Sequence, residues 1–193
     1  MPTCAELGRR GFVNTLLFGG YDRTRLAFDT YKQARRAAGL PVPREDCFSY
    51  MAFCYVGDTD DEAFRIGQKI PWFLTVSIKS APQFAKFQPG QIAPEMAPAA
   101  WRAGASKRPT NLTVESLVAQ GQMFAGNPDT VVNQIKEFRR RVGGVGRIIL
   151  MTRQGLVTHA EAMRSFDRTA REVLPQLRDL PPLERQDMST AAQ

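Results

Sequence analysis

Apolar runs of strand length alternate along this chain with stretches in which apolar residues return every three or four positions. The run GFVNTLLF, residues 11–18, is rich in β-formers and stops at Gly19 and Gly20, as a strand entering a turn does. Between Asp22 and Ala38 the residues Leu26, Phe28, Tyr31, Ala34 and Ala38 keep mostly helical spacing, and GLPVP from Gly39 supplies a stop. CFSYMAFCYV, residues 47–56, is apolar at nearly every position, which predicts a strand covered on both faces in a parallel sheet. Thr59 then opens a helix, and Glu62, three residues on, can reach back as a capping box. The carboxylates Asp58, Asp60, Asp61 and Glu62 are read as that helix start, where negative charge is favoured, ahead of a metal or acid/base site.

Residues 80–111 interrupt the alternation with five prolines, mixed aromatics and no sustained period. A stretch of that length is a functional excursion or a disordered insert, and Phe84, Phe87 and Trp101 favour order. LTVESLVAQG, residues 112–121, is a short helix, and MFAG leads from it into the most organised stretch, GNPDTVVNQIKEFRRRVGGVGRIILM. There Asn127 serves as N-cap with Pro128 at the first helical position, and Val131, Ile135, Phe138 and Val142 form one apolar stripe. Gly143 and Gly144 end that helix and RIILM is a third strand. A capping box from Thr158 to Glu161 opens the last helix, predicted to bury Met163, Phe166, Ala170, Val173, Leu174 and Leu177 before a polar tail over 182–193.

This order of elements indicates a parallel α/β arrangement built by right-handed crossovers, with its chemistry at the carboxyl ends of the strands. Those ends are Phe18 to Tyr21, Val56 to Asp58 and Thr152 to Gly155. GGVG lies at the opposite end, fails the dinucleotide spacing and does not follow a strand, so it reads as a helix stop and not as a phosphate cradle.

Composition narrows the picture further. With 193 residues and 43% hydrophobic content, a single domain burying on the order of 70% of its unfolded surface is the default. No apolar run reaches membrane-spanning length and MPTCAELGRRGF has no signal-peptide core, so a cytoplasmic protein is expected. Three cysteines argue against a disulfide framework, Cys47 and Cys54 sit at an odd separation unsuited to sharing a metal, and His159 is the only histidine. The net charge of +7 permits nucleic-acid binding, but most arginines fall on predicted helix surfaces. NLT at Asn111 is a chance glycosylation match in a cytoplasmic chain.

YKQARRAAGL before an apolar strand and DTDDEA, then APQFAKFQPGQIAPE, LTVESLVAQGQMFAGNPDTVVNQI and GLVTHAEAMRSFDRTAREVLPQLRDL, carry a likeness in their order and spacing. From about Ala5 to Leu180 the chain resembles the C-terminal half of the luciferase-like flavin-dependent monooxygenases. The resemblance implies a partial (β/α)8 TIM-type barrel: residues 1–181 would hold roughly its last three strand–helix units, with 80–111 as an excursion near the active-site face. A full barrel of this kind needs about 250 residues.

The implied activity is insertion of one oxygen atom from dioxygen into a small organic substrate by reduced flavin. FMN is the implied cofactor, a deazaflavin the alternative, and a flavin reductase a further partner. In the family the flavin phosphate is held mainly by the N-terminal half and by a loop before the helix that begins here near Ala5. Thr3 and Cys4 fall near that helix start without the family's serine pattern. Thr152, Arg153 and Gln154 would face the isoalloxazine or substrate, and Lys86 or Arg102 would attract an anionic flavin or substrate. Metal, nucleic acid and membrane are not implied. Two other readings stay open. One is a non-catalytic remnant or subunit that self-associates or completes a barrel with a separate N-terminal half; the other is a basic nucleic-acid-binding module.

Overall fold

The computed structural model describes residues 2–72, 74, 112–181 and 183. Helix α1 spans Pro2–Arg10, strand β1 Asn14–Leu17 and helix α2 Gly20–Ala37. A 3-10 turn at Glu45–Cys47 leads into β2, Phe48–Val56, followed by α3, Asp60–Gly67. Beyond the undescribed stretch come α4, Val114–Ala119; β3, Met123–Gly126; α5, Pro128–Val142; and β4, Arg147–Met151. Helix α6, His159–Arg168, continues through a π-helical turn, Thr169–Val173, into α7, Leu174–Arg178. The excursion 80–111, and Lys86 and Arg102 within it, lie outside the described residues.

The described strands number four, so the expectation of three is corrected. MFAG is a strand, buried at every position, but four residues are too few to display a period. The first strand is also shorter than expected, because Phe12 and Val13 precede it and are exposed. In α2 the buried stripe is Thr24, Ala27, Phe28, Tyr31 and Ala34, while Leu26 faces solvent.

All pairings are parallel and all run through β2. β1 pairs with the first half of β2, Asn14 opposite Phe48, and β3 with its end, Val56 opposite Gly126. Phe18 N–H donates to the Met51 carbonyl and Phe53 N–H to the Gln122 carbonyl. Met51 and Phe53 are two residues apart, so their peptide groups point the same way, and β1 and β3 lie end to end along one edge of β2. β4 takes the other edge, with Gly146 N–H donating to the Phe48 carbonyl.

From β1 to β2 and from β3 to β4 the chain therefore moves one way across the sheet, and from β2 to β3 it moves back. Crossovers of one hand must then alternate faces. They do: α2 and α5 pack on one face with Tyr50, Ala52 and Cys54, whereas α3, α4 and α6 pack on the other with Phe53 and Tyr55. This is why β2 is apolar throughout.

At the amino ends of the strands the turn after α5 is structural, as its sequence predicts. Gly143 closes the helix at φ 75, its carbonyl accepts from Lys32 Nζ at 2.9 Å, and Gly146 N–H donates to the Glu45 carbonyl. Glu45 is clasped by Arg139 through two bonds of 2.8 and 3.0 Å.

Candidate functional site at the carboxyl ends of the strands

The strands are parallel, so their carboxyl ends point the same way: Gly57 to Asp60, Gly126 to Asn127 and Thr152 to Gly155, with Phe18 to Gly20 ending β1 lower down, beside the start of β3. Phe18 adopts φ 50, a left-handed backbone that a bulky residue holds only when its surroundings compel it. Its ring stacks on Phe53 at 4.2 Å between centroids, and its carbonyl accepts from Gln122 Nε2 at 2.9 Å. Asp60 ties the ends of β2 and β3 together, accepting from Asn127 N–H at 2.7 Å and from the Thr130 hydroxyl at 3.2 Å. Asp58 pairs with Arg168. The acidic run after β2 is thus a helix start and a tertiary tie, with Thr59 capping Glu62 N–H and Glu62 accepting from Asp58 N–H at 2.7 Å.

A flavin phosphate needs free N–H donors or cations, and helix N-termini are the usual source. Here those termini are engaged from within the chain. In α2, Gly20 N–H donates to the Tyr50 hydroxyl at 3.0 Å and Tyr21 N–H to the Gln120 carbonyl at 3.0 Å. The Tyr50 hydroxyl donates onward to the Gly121 carbonyl at 2.8 Å, and burial pushes it up to about 12. Thr59, Asn127 and Thr158 cap α3, α5 and α6 with their own side chains. Each of these termini therefore has at least one first-turn donor already bound from within the chain, which leaves a phosphate fewer groups to take there.

Two open depressions flank these ends. One, of about 370 Å³, is lined by Asp60, Asp61, Phe64, Glu115, Thr130 and Gln134, a charge balance hostile to an anion. The other, of about 300 Å³, is lined by Gly19, Gly20, Tyr21, Arg23, Gln120 and Arg141 among others, with Arg141 lying 3.6 Å above the Tyr21 ring. Its cations suit an anion better, but the N–H groups at its floor are those already bound to Tyr50 and Gln120.

Thr152, Arg153 and Gln154 line neither depression. Thr152 is buried, Arg153 exposed and Gln154 half-buried, and the Gln154 carbonyl accepts from Val157 N–H. What the structure adds is their neighbour. Leu156 N–H donates to the Lys69 carbonyl at 3.1 Å, and Lys69 Nζ pairs with Glu161, so this loop sits against the segment just after α3. Thr3 is an exposed residue of α1 and Cys4 packs into the core, so neither stands at a strand end. The sequence places Phe18 at a strand end and Asp60 in a helix start but shows nothing of what either holds, and it gives Tyr50 no role at the site. The FGG after the first strand was the only signal for Phe18, and the partners of Asp60 and Tyr50 lie 67 and 71 residues away.

The Lys69 ammonium, the Thr158 N–H and the Thr158 hydroxyl together pull the Glu161 carboxyl down to about 2. A carboxyl depressed in the fold stabilises it above the unfolded value of about 4.3 and loses that contribution as pH falls through the folded value. Glu161→Gln is expected to be less stable than the parent by a constant margin above about pH 5, with the margin closing toward pH 2. Urea midpoints measured across that range check this, and a margin that does not change with pH would refute it.

No protein-family model matches the chain. Over 173 residues it is 27% identical to 2,5-diketocamphane 1,2-monooxygenase 1 of Pseudomonas putida, covering 89% of this chain and 45% of that one. The chain therefore spans about half the length of the curated relatives it matches. Among solved structures, one neighbour is the FMN complex of the oxygenating constituent of 3,6-diketocamphane monooxygenase, a type II Baeyer-Villiger monooxygenase of Pseudomonas putida. It superposes with a TM-score of 0.64 at 23% identity, over 94% of this chain and 46% of that one. The coenzyme F420 dependent tetrahydromethanopterin reductase of Methanopyrus kandleri gives 0.52 at 16% identity, over 89% and 47%. The fold these likenesses show is a partial α/β barrel.

Proposed function

We propose, on the premise that this chain is a partial barrel of the luciferase-like flavin-dependent monooxygenases, that it serves oxygen insertion. One atom of dioxygen would enter a small organic substrate at the expense of reduced flavin, with residues 1–181 forming one unit of the barrel. The carrying observation is the similarity to a diketocamphane monooxygenase over 89% of the chain. The names of the relatives make a cyclic ketone the first substrate class to assay. FMN is the proposed cofactor, with a deazaflavin as its alternative, and a flavin reductase is the proposed source of reducing equivalents.

In this reading the loop Thr152, Arg153 and Gln154 faces the flavin ring or substrate, and Lys86 and Arg102 serve an anionic group from the excursion. The phosphate is held by residues outside the described ones, a reading supported by the internal bonds that already engage donors at each of these helix ends. The chain alone is expected to purify colourless and to bind FMN with a Kd weaker than about 1 mM. Flavin fluorescence titration checks this; tight binding with a structured flavin absorption band would show that the phosphate contacts are here after all.

The same internal bonds at the helix ends favour a second reading, a non-catalytic subunit. A chimaera in which this chain replaces the matching 45% of the Pseudomonas putida 2,5-diketocamphane 1,2-monooxygenase 1 separates the two. If the folded, flavin-loaded chimaera converts a ketone with reduced FMN and dioxygen, the catalytic reading holds. If it does not, the subunit reading replaces it.

A further inference from the structure

The loops at the amino ends of β1 and β2 hold apolar side chains out into solvent. Phe12 and Val13, between α1 and β1, are 57% and 43% exposed, and Val42, between α2 and β2, is 64% exposed, with Leu40 beside it at 37%. Their backbone is fixed. Phe12 N–H donates to the Leu7 carbonyl, Gly39 N–H to the Arg36 carbonyl and Leu40 N–H to the Arg35 carbonyl, and Pro41 and Pro43 restrict the second loop further. Arg35 joins the two loops: its Nε donates to the Pro41 carbonyl at 3.0 Å, and its Nη1 lies 3.1 Å from where a Cβ on Gly11 would stand. A Cβ on Gly39 would meet nothing within 4 Å, so the second loop stands clear of the body of the chain. Four apolar side chains therefore project from one ordered tip.

The tip is ringed by arginines. Arg9 and Arg10 end α1, Arg35 and Arg36 end α2, and Arg44 closes the second loop. Against these five stand Glu6, which pairs with Arg9 and Arg10, and Asp46, 3.7 Å from Arg44. Arg36 is exposed and has no ion-pair partner among the described residues. An apolar tip inside a cationic ring suits the surface of an anionic bilayer, where the apolar groups enter the headgroup layer and the guanidinium groups meet lipid phosphates. A nucleic acid fits the ring but not the tip, since bases stack on aromatic faces and only Phe12 of the four offers one.

We infer that residues 12–13 and 40–42, with the arginines around them, form a peripheral docking surface for an anionic lipid bilayer. The surface lies at the opposite end of the sheet from the candidate site and owes nothing to the proposed activity; docked this way, the chain turns its carboxyl-end loops toward water. The last helix supplies an internal control. Its sequence predicts burial of Met163, Phe166, Ala170 and Leu174, but Ala162, Ser165, Thr169 and Val173 turn inward and leave those four as an exposed stripe.

Cosedimentation of the full chain with vesicles tests this. Phosphatidylcholine vesicles carrying about 30% phosphatidylglycerol are expected to bind the chain roughly tenfold or more tightly than phosphatidylcholine alone, and about 0.5 M salt to remove most of that difference. Val42→Ser and Phe12→Ser, each replacing an exposed side chain, should leave the thermal midpoint unchanged and weaken vesicle binding roughly tenfold. Arg36→Gln with Arg44→Gln should weaken it by about the same factor on anionic vesicles only. Val42→Trp should show a blue-shifted emission when those vesicles are added, and it decides the matter should Phe12→Ser loosen α1. Phe166→Ser, on the stripe of the last helix, should change nothing. Absence of vesicle binding overturns the inference, as does binding indifferent to lipid charge or an unshifted Val42→Trp emission. A loss from Phe166→Ser as large as that from Val42→Ser overturns it too, because the stripe then makes the contact. So does binding to a duplex oligonucleotide in place of vesicles, unaffected by Val42→Ser, which would give the arginines to nucleic acid.

Discussion

Phe138→Ala is expected to lower stability by about 4 kcal/mol and the thermal midpoint by roughly 8–16 °C. Phe138 is fully buried in the middle of α5, stacked on Tyr50 at 4.2 Å between centroids, tilted against Tyr21 at 5.5 Å and edge-on to Phe124 at 5.7 Å. Its ring is what joins α5 to β2, to β3 and to the start of α2. Removing it leaves a cavity walled by three aromatics that are themselves held from behind, so collapse is limited and the loss falls at the upper end for such truncations. Because Tyr50 also accepts the Gly20 N–H, a loosened Tyr50 would free the first turn of α2 as well. Phe166→Ala, on the exposed stripe, should change stability by less than about 1 kcal/mol. Urea denaturation of the two variants side by side decides the matter; comparable losses would mean that Phe138 and Phe166 do not differ in burial as described.

Gly155→Ala is the second large effect, about 3 kcal/mol. Gly155 has φ 60, and an added Cβ would stand 2.1 Å from the Lys69 carbonyl oxygen and 3.1 Å from that of Ile70. Both are backbone atoms and cannot swing aside. The loop must retreat, which breaks the Leu156 to Lys69 hydrogen bond and strains the Lys69–Glu161 pair, on top of the left-handed penalty of about 1–2 kcal/mol. Gly39→Ala isolates that penalty, since Gly39 has φ 68 with nothing within 4 Å of an added Cβ. The difference between the two variants measures the close approach of the loop after β4 to the segment after α3. Equal losses would show that the approach does not exist, and with it would go the link between Thr152–Gln154 and the segment after α3.

Caps and long strands were legible in the sequence because their signals are local. Thr59, Asn127 with Pro128, and Thr158 with Glu161 each act within one helical turn and sit where the spacing predicts, while Glu62 does not complete the expected box with Thr59 and accepts instead from the Asp58 N–H. The stripe Val131, Ile135, Phe138 and Val142 is buried as its period requires. MFAG escaped because its burial comes from neighbours distant in sequence, and its edge is closed by a glutamine nine residues on. The candidate site was half legible. Thr152 to Gln154 do stand at a strand end, but Asp60, Tyr50 and Phe18 shape the other ends through contacts no spacing announces.

The last helix marks the boundary most clearly. Periodicity by itself marked Met163, Phe166, Ala170, Val173, Leu174 and Leu177 as the apolar positions of the last helix; Val173 is buried and Leu177 packs against the core, whereas Met163, Phe166, Ala170 and Leu174 are exposed. It also established the parallel α/β class, through apolar strands alternating with capped helices. Which face of α6 turns inward was decided only by the tertiary structure. Small residues at 162, 165 and 169 allow close approach to β2 and a hydrogen bond to Val56, whereas the larger stripe needs a surface that the described residues do not supply. Burial depends on what else is present to pack against, and a pattern along one chain carries no record of that.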